Sequence, residues 1–222
     1  MTMYQTWENL FFYHFKAEPK AIKDLLPKEI VLDLFEGKAY VGIVGFKMSS
    51  IYFSPCSFLK HPGFFELNLR TYVLLEDGTP AVYFFTLDTN SFLSSFIANV
   101  FFKLPYAYRN IEYEMEREKG ALRAYDKVNN DYFSFETSKK FIADKKSFFL
   151  LERYHFITEK KGQFYKGSLS HSPYQVVYLK NPVYETTLFK RFFEKNTSVS
   201  IDPSSCYFSK GFKVKVLNFK KL

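Results

Sequence analysis

The sequence predicts an α+β protein that is mostly β, with about ten or more mainly antiparallel strands and a few short helices. Short apolar or alternating segments recur along the chain, and turn residues such as Asp77-Gly78 separate them. Hydrophobic residues make up 47% of the chain and aromatic residues 21%, so a large core is available. No repeat or linker divides the sequence, which predicts a single domain over residues 1–222.

The N-terminal half contains the clearest local signals. Residues 10–15 form an apolar run typical of a strand, and Pro19 opens a short helical stripe that Pro27 ends. Segments 29–35 and 39–48 predict one hairpin, and residues 64–88 predict another around Asp77-Gly78. Ser91 can cap a helix over residues 91–102.

The C-terminal half continues the β pattern. Residues 147–158 fit either a short helix or a strand, and the segment TTLFKRFF predicts a helix. The segment GFKVKVLNF alternates, which predicts a strand whose outer face carries Lys213 and Lys215. Further strands are predicted in the segments RNIEYEMERE, ALRAY, YFSFE, QFYKGSLS and YQVVYL.

The formal net charge is +8, and most of it belongs to the C-terminal segment. Residues 180–222 hold nine Lys or Arg against three Asp or Glu, and the remainder holds 22 against 20. Such a face can meet an anionic partner. However, the stretch KGFKVKV departs from the RNA-binding K-G-F pattern at Lys213, so nucleic acid is not the expected partner.

Several chemistries lack their sequence patterns. Phosphate-binding loops, dinucleotide-binding glycine motifs and nucleophile elbows are absent, and the four histidines show no metal-ligand spacing. We therefore expect neither a metal nor a cofactor. Cys56 and Cys206 are too few for a disulfide framework, which favours a reducing, cytoplasmic location. The longest apolar run is too short to span a bilayer.

The segment GFFELNLRTYV, residues 63–73, contains the main candidate site. Read as a strand, it places Glu66, Asn68 and Arg70 on one face. At about 3.3 Å per residue, the Glu66 and Arg70 Cα atoms are about 13 Å apart. These three residues, the polar row, can be a solvent face, a structural network, or part of a ligand pocket. In a network, the partners would be Asp88, Glu152 or Arg153.

Seven segments in order match a known pattern: TWENLFFYHF, LLPKEIVLDLFEGKAYVGIVGFKM, FFELNLRTYV, VYFFTLDTN, KLPYAYRNI, LLERYHF and HSPYQVVYL. Through them, and above all through F-x-E-x-N-x-R-T-Y-V, the chain resembles the YqjF-like family of uncharacterised bacterial proteins. That family is similar to the acetoacetate decarboxylase-like fold, so the resemblance implies a β-barrel or cone of strands around a small-molecule pocket.

The resemblance places Glu66 where the decarboxylases have a pocket glutamate. Those enzymes form a Schiff base through the first lysine of a Pro-Lys-Lys element. Here Tyr106 and Ala107 occupy the two lysine positions after Pro105, and Lys103 precedes them. A Schiff base requires an amine, so we expect decarboxylation by that route to be lost and the pocket to be kept.

Two hypotheses of function follow. The first is a cytosolic protein that binds a small carboxylate- or carbonyl-containing molecule. If it is an enzyme, it is a lyase or hydrolase on a small organic acid, with Glu66 as acid or base, Arg70 holding an anionic group and Tyr106 donating a hydrogen bond. The further candidates for the pocket are His14, Asn68, Asp88, Arg153, Tyr154 and His171. The alternative is a non-catalytic interaction protein with a basic C-terminal face. Assembly into a homo-oligomer is compatible with both.

Overall fold

The fourteen strands of the described residues all belong to one sheet. The computed structural model describes residues 2–54, 60–95, 104–160, 162–193 and 198–221. The strands are β1 (Thr2–Ala17), β2 (Val31–Leu32), β3 (Ala39–Ser54), β4 (Lys60–Leu74), β5 (Pro80–Thr89), β6 (Tyr106–Tyr108), β7 (Asn110–Glu116), β8 (Lys119–Tyr125), β9 (Asn130–Ile142), β10 (His155–Lys160), β11 (Gln163–Ser170), β12 (Val176–Glu185), β13 (Val199–Ile201) and β14 (Tyr207–Lys221).

Short helices connect some of these strands. They are α1 (Pro19–Lys23), α2 (Lys145–Leu151) and α3 (Leu188–Phe192), and a 3₁₀ turn spans Pro203–Ser205. Residues 92–95 are also helical, and Ser91 caps them by accepting the Ser94 amide hydrogen bond at 3.2 Å. The rest of the helix predicted over 91–102 lies outside the described residues. None of the helices in the described ranges is long and apolar enough to cross a bilayer.

Seven strands form a closed ring. The hydrogen-bonded order runs β1-β3-β4-β5-β10-β11-β14, and β14 pairs again with β1. The β5–β10 pairing is parallel and the other six pairings of the ring are antiparallel. Because β14 also pairs with β12, the layer β12-β9-β8-β7 extends from the ring. The prediction of a mostly β α+β fold is confirmed.

The two faces of the ring strands pack into separate cores. Alternation along β3 illustrates this arrangement, since Ile43 belongs to one apolar cluster and Val44 to the other. One core is covered by α1, α3 and the layer β7–β9, while the other lies inside the ring. Strands that are buried on both faces have nearly continuous apolar sequences. In this protein many of those apolar residues are Phe and Tyr, which fill both cores.

The hairpin predicted over residues 64–88 is confirmed as the antiparallel pair β4–β5. The other predicted hairpin is wrong, because β2 pairs with β4 and not with β3. Only the isolated bridge Phe35–Lys38 forms next to the turn at Gly37. The ambiguous segment 147–158 contains the end of α2 followed by β10.

We expect Gly167→Ala to lower the free energy of unfolding by about 1–3 kcal/mol, the usual effect of overpacking. Gly167 of β11 lies opposite Phe156 of β10, and a Cβ at this position would overlap the Phe156 ring. Phe156 is buried and cannot move without displacing its neighbours. Urea denaturation checks this expectation, with Ser170→Ala at an exposed position of the same strand as the control. Equal stability of the two variants would contradict it.

Candidate functional site

A cavity of about 180 Å³ lies inside the seven-stranded ring. Each strand of the ring contributes at least one side chain to its wall. Most of the wall is apolar and aromatic. The aromatic lining includes Trp7, Phe46, Phe64, Phe84, Phe156 and Phe219.

The polar row of β4 lines this cavity. Alternation along the strand turns Glu66, Asn68 and Arg70 to the inside, where they are 3%, 3% and 8% exposed. Leu67 and Leu69 point to the other core and are fully buried. The interpretation of the row as a solvent face is therefore wrong, because both faces of β4 are covered at this point.

Glu66 is held by two hydrogen-bond donors. Asn68 Nδ2 donates to Glu66 Oε1 at 2.9 Å, and the Tyr106 hydroxyl donates to Oε2 in a short hydrogen bond. Burial raises the pKa of Glu66 to about 7, although both hydrogen bonds and the charge of Arg70 act in the opposite direction. The carboxyl can therefore exchange a proton near neutral pH.

Arg70 has no carboxylate partner within salt-bridge distance among the described residues. Its Nη2 donates a long hydrogen bond, 3.4 Å, to the Leu150 carbonyl oxygen, the guanidinium also interacts with the Tyr72 hydroxyl, and its Nε has no acceptor in the described part of the chain. Its Cζ lies 5.7 Å from the Phe12 ring centre and 5.8 Å from that of Tyr72. A buried guanidinium with donors to spare is suited to holding an anionic group.

Asn68 retains one unused acceptor. Because its Nδ2 donates to Glu66, its Oδ1 is the free end of the amide, and within the described ranges this buried oxygen has no hydrogen-bond partner. An unpaired buried acceptor costs about 1–3 kcal/mol. The polar row is therefore incompletely satisfied by the described protein groups.

The two carboxylates predicted as partners of the polar row, Asp88 and Glu152, accept hydrogen bonds from other residues. Asp88 accepts hydrogen bonds from Arg109 and Arg191 at 3.0 and 2.9 Å on the opposite face of the sheet. Glu152 accepts hydrogen bonds from the Tyr154 hydroxyl and the Tyr174 amide. Within the described ranges, neither Asp88 nor Glu152 forms a hydrogen bond or an ion pair with the polar row.

Asp88 is part of a buried ion network outside the cavity. Arg109, 2% exposed, donates to Asp88 and also to Asp131 at 2.5 Å. Asp131 in turn accepts hydrogen bonds from Thr186 and Thr187, which precede α3. Asp88 therefore joins strands to a helix, and its predicted place in the pocket is corrected because Leu87, and not Asp88, faces inward.

The remaining candidates lie behind the cavity wall. Arg153 forms an ion pair with Asp33 at 2.6 Å and covers the Phe149 ring, and it does not line the cavity. The rings of Tyr154 and His171 pack against each other in a tilted arrangement, with their centres 4.7 Å apart. His171 in turn packs against Tyr174, which does line the cavity. The prediction that Arg153, Tyr154 and His171 line the pocket is therefore wrong, because these side chains lie behind the residues that form its wall.

His14 also lies outside the cavity. It is fully buried, and its Nε2 is 2.7 Å from the Tyr72 hydroxyl while its Nδ1 meets the Ser205 carbonyl oxygen. Burial lowers the pKa of His14 to about 3, so the ring is neutral at pH 7. His14 and Tyr72 support the end of the cavity next to Arg70 without facing the space itself.

Among the lining residues that the sequence did not indicate are Gln5, Trp7 and Tyr174. Gln5 and Trp7 belong to β1, which begins at Thr2 and not at Leu10 as predicted. Their alternation is interrupted at Asn9, whose φ of 54° accompanies a bulge against β3. Tyr174 is the first residue of the predicted strand YQVVYL, but β12 begins at Val176, so the alternation of that strand does not fix the direction of the Tyr174 side chain.

The structure shows neither a reactive cysteine at position 206 nor, among the described residues, a set of metal ligands. Cys206 is buried and hydrogen-bonds to the Asp202 carbonyl oxygen, and burial raises the pKa of its thiol to about 12. Cys56 lies outside the described residues. Within the described ranges, no three His, Cys, Asp or Glu side chains are grouped for a metal ion.

The fold is that of the acetoacetate decarboxylase-like proteins. The acetoacetate decarboxylase of Legionella pneumophila superposes with a TM-score of 0.71 at 11% identity, over 99% of this chain and 86% of that one. An acetoacetate decarboxylase-like enzyme from Sphingomonas wittichii gives 0.69 at 8% identity, over 99% and 92%. The enduracididine biosynthesis enzyme MppR gives 0.67 at 9% identity, over 100% and 88%.

The sequence defines the family more narrowly. Residues 4–213 match DUF2071, a family described as uncharacterized conserved protein. The chain is also 31% identical over 183 residues to the uncharacterized protein YqjF of Bacillus subtilis, covering 78% of this chain and 74% of that protein. The chain therefore belongs to the DUF2071, or YqjF-like, family.

Proposed function

We propose that the protein binds a small carboxylate- or carbonyl-containing molecule in the cavity of the ring, without Schiff-base chemistry. The observation that carries the proposal is the buried Arg70 guanidinium, which faces a mostly apolar cavity and has no carboxylate within salt-bridge distance among the described residues. Isolated buried charges are costly, and proteins keep them mainly where they have a function.

The roles of the polar row follow from its geometry. Arg70 holds the ligand carboxylate, and its planar donors suit a two-pronged contact. Glu66 is the side chain placed to take up or release a proton, and Tyr106 donates to it from β6, which pairs with β5 beside β4. A lysine would be needed for a Schiff base, and the resemblance to the decarboxylases assigns Tyr106 and Ala107, which are not lysines, to the two lysine positions.

The structural relatives support this class of ligand. MppR, which has the same fold, was solved in complex with pyruvate, a small keto acid. The low sequence identity limits that comparison to the fold. The ligand class for this chain therefore rests on Arg70, Glu66 and Asn68 themselves.

We expect Arg70→Met to weaken the binding of small monocarboxylates by about 10- to 100-fold, the loss typical of a charge-assisted hydrogen bond. Its melting temperature should be unchanged or higher, because methionine replaces an uncompensated buried charge with an apolar chain of similar length. Titration calorimetry with acetate, pyruvate and phenylacetate measures the binding, and Arg123→Met at an exposed position of β8 is the matched control.

The opposite pattern would contradict the proposal. If Arg70→Met binds these carboxylates as the wild type does, the guanidinium is not part of a ligand site. If the variant instead loses stability, the polar row is a structural network. The alternative function as an interaction protein predicts this second result.

A further inference from the structure

The charges, size and hydrogen-bonding groups of the cavity restrict its ligand beyond the requirement for a carboxylate group. Among the described lining residues, Arg70 is the one cationic side chain, and Glu66 lies on the same strand face. A second anionic group on the ligand would meet no cation there and would be repelled by the Glu66 carboxylate. The charges therefore favour a monocarboxylate over a dicarboxylate or a phosphate.

The size and the wall of the cavity favour an aromatic carbon skeleton. A cavity of about 150 Å³ in another protein binds benzene, and this one is about 180 Å³. It therefore has room for one six-membered ring and a short polar group. The aromatic lining provides edge-to-face and stacked contacts for such a ring. A three-carbon acid would leave much of this apolar space empty.

The free acceptor of Asn68 indicates that the ligand also carries a hydrogen-bond donor. Asn68 Oδ1 has no donor within the described part of the chain, so a ligand that fits must donate a hydrogen bond there. A keto oxygen only accepts, whereas a hydroxyl donates. Asn68 and Arg70 are next neighbours on one strand face, about 7 Å apart between Cα atoms. They can therefore contact groups on adjacent ligand carbons.

We propose that the ligand is an aromatic 2-hydroxy acid. Its carboxylate binds Arg70, its hydroxyl donates to Asn68 Oδ1, and its ring fills the apolar part of the cavity. This inference rests on the proposed function and makes it more specific, since it names the substituents that the cavity selects.

Titration calorimetry at pH 8 tests the proposal with four probes: mandelate in both enantiomers, phenylacetate, phenylglyoxylate and lactate. One mandelate enantiomer should bind about tenfold more tightly than phenylacetate and phenylglyoxylate, because only mandelate carries both the ring and the donor. It should bind at least about 100-fold more tightly than lactate, which lacks the ring.

Two variants separate the contributions. Asn68→Leu should reduce mandelate affinity to that of phenylacetate, which itself should change by less than about threefold. Arg70→Met should weaken both ligands. If phenylacetate, phenylglyoxylate or lactate binds the wild type as tightly as mandelate, the inference is overturned while the carboxylate site stands. If no probe shows binding that depends on Arg70, the inference and the proposed function both fail.

Discussion

Replacing Arg109 with methionine is expected to lower the free energy of unfolding by about 3–5 kcal/mol, the usual cost of removing one partner from a buried ion network. Arg109 is 2% exposed and donates to both Asp88 and Asp131, which are fully buried. Its Nη2 also donates to the Ala124 carbonyl oxygen at 2.7 Å. The variant would leave several buried acceptors with fewer donors, in a place that connects β5, β8, β9 and the start of α3.

Urea denaturation measures this change. Arg123→Met is again the control, because Arg123 is exposed and contacts only the ring of Tyr132 among the interactions described. We expect the control to lose no more than about 1 kcal/mol. If Arg109→Met is no less stable than the control, the ion network does not hold these strands together.

Glu66→Gln is expected to remove a pH dependence of stability worth about 3 kcal/mol. Burial raises the pKa of Glu66 from 4.5 to about 7 in the folded protein, and each pKa unit corresponds to about 1.4 kcal/mol. Between these two pH values the folded state binds more protons than the unfolded state. Stability from this group is therefore fully present below pH 4.5 and is lost as the pH rises to about 7.

The measurement is the difference in unfolding free energy between wild type and Glu66→Gln, from pH 4.5 to pH 8. The wild type should become less stable relative to the variant by about 3 kcal/mol over this range. Other buried groups, such as His14 with its lowered pKa, cancel in the difference. Glu114→Gln, at an exposed position of β7, is the control. A difference that does not vary with pH would show that Glu66 is not buried as described.

The sequence was sufficient to group the polar row. The strand period of two places Glu66, Asn68 and Arg70 on one face whatever the tertiary structure. It could not show which face is inside, because Leu67 and Leu69 on the other face are also fully buried. The choice between pocket and network depended on partners contributed by distant parts of the chain.

The closure of the ring could not be predicted from local patterns. It requires β1 to pair with β14 from the opposite end of the chain, with Met3 opposite Val216. Nothing in the periodicity of either segment specifies that pairing. The bulge at Asn9 also shifts the alternation of β1, so Gln5 and Trp7 cannot be assigned to the cavity by counting back from Leu10.

The direction of the Asp88 side chain also depends on strand pairing that the sequence alone does not specify. Its position at the end of β5 suggested a partner for Arg70, but the pairing of β4 with β5 shifts register between Leu69 and Arg70. Leu87 lies opposite Asn68 and faces the cavity, which turns Asp88 toward Arg109. A one-residue change of register moves every side chain of a strand to the other face.

A crystal structure of the protein grown with phenylacetate tests the central claim most directly. We expect the carboxylate within about 3 Å of the Arg70 guanidinium, with the ring among the aromatic side chains of the cavity. The contrary result would be an empty cavity, with Arg70 fully hydrogen-bonded to protein acceptors. In that case the polar row is part of the structure and not a ligand site.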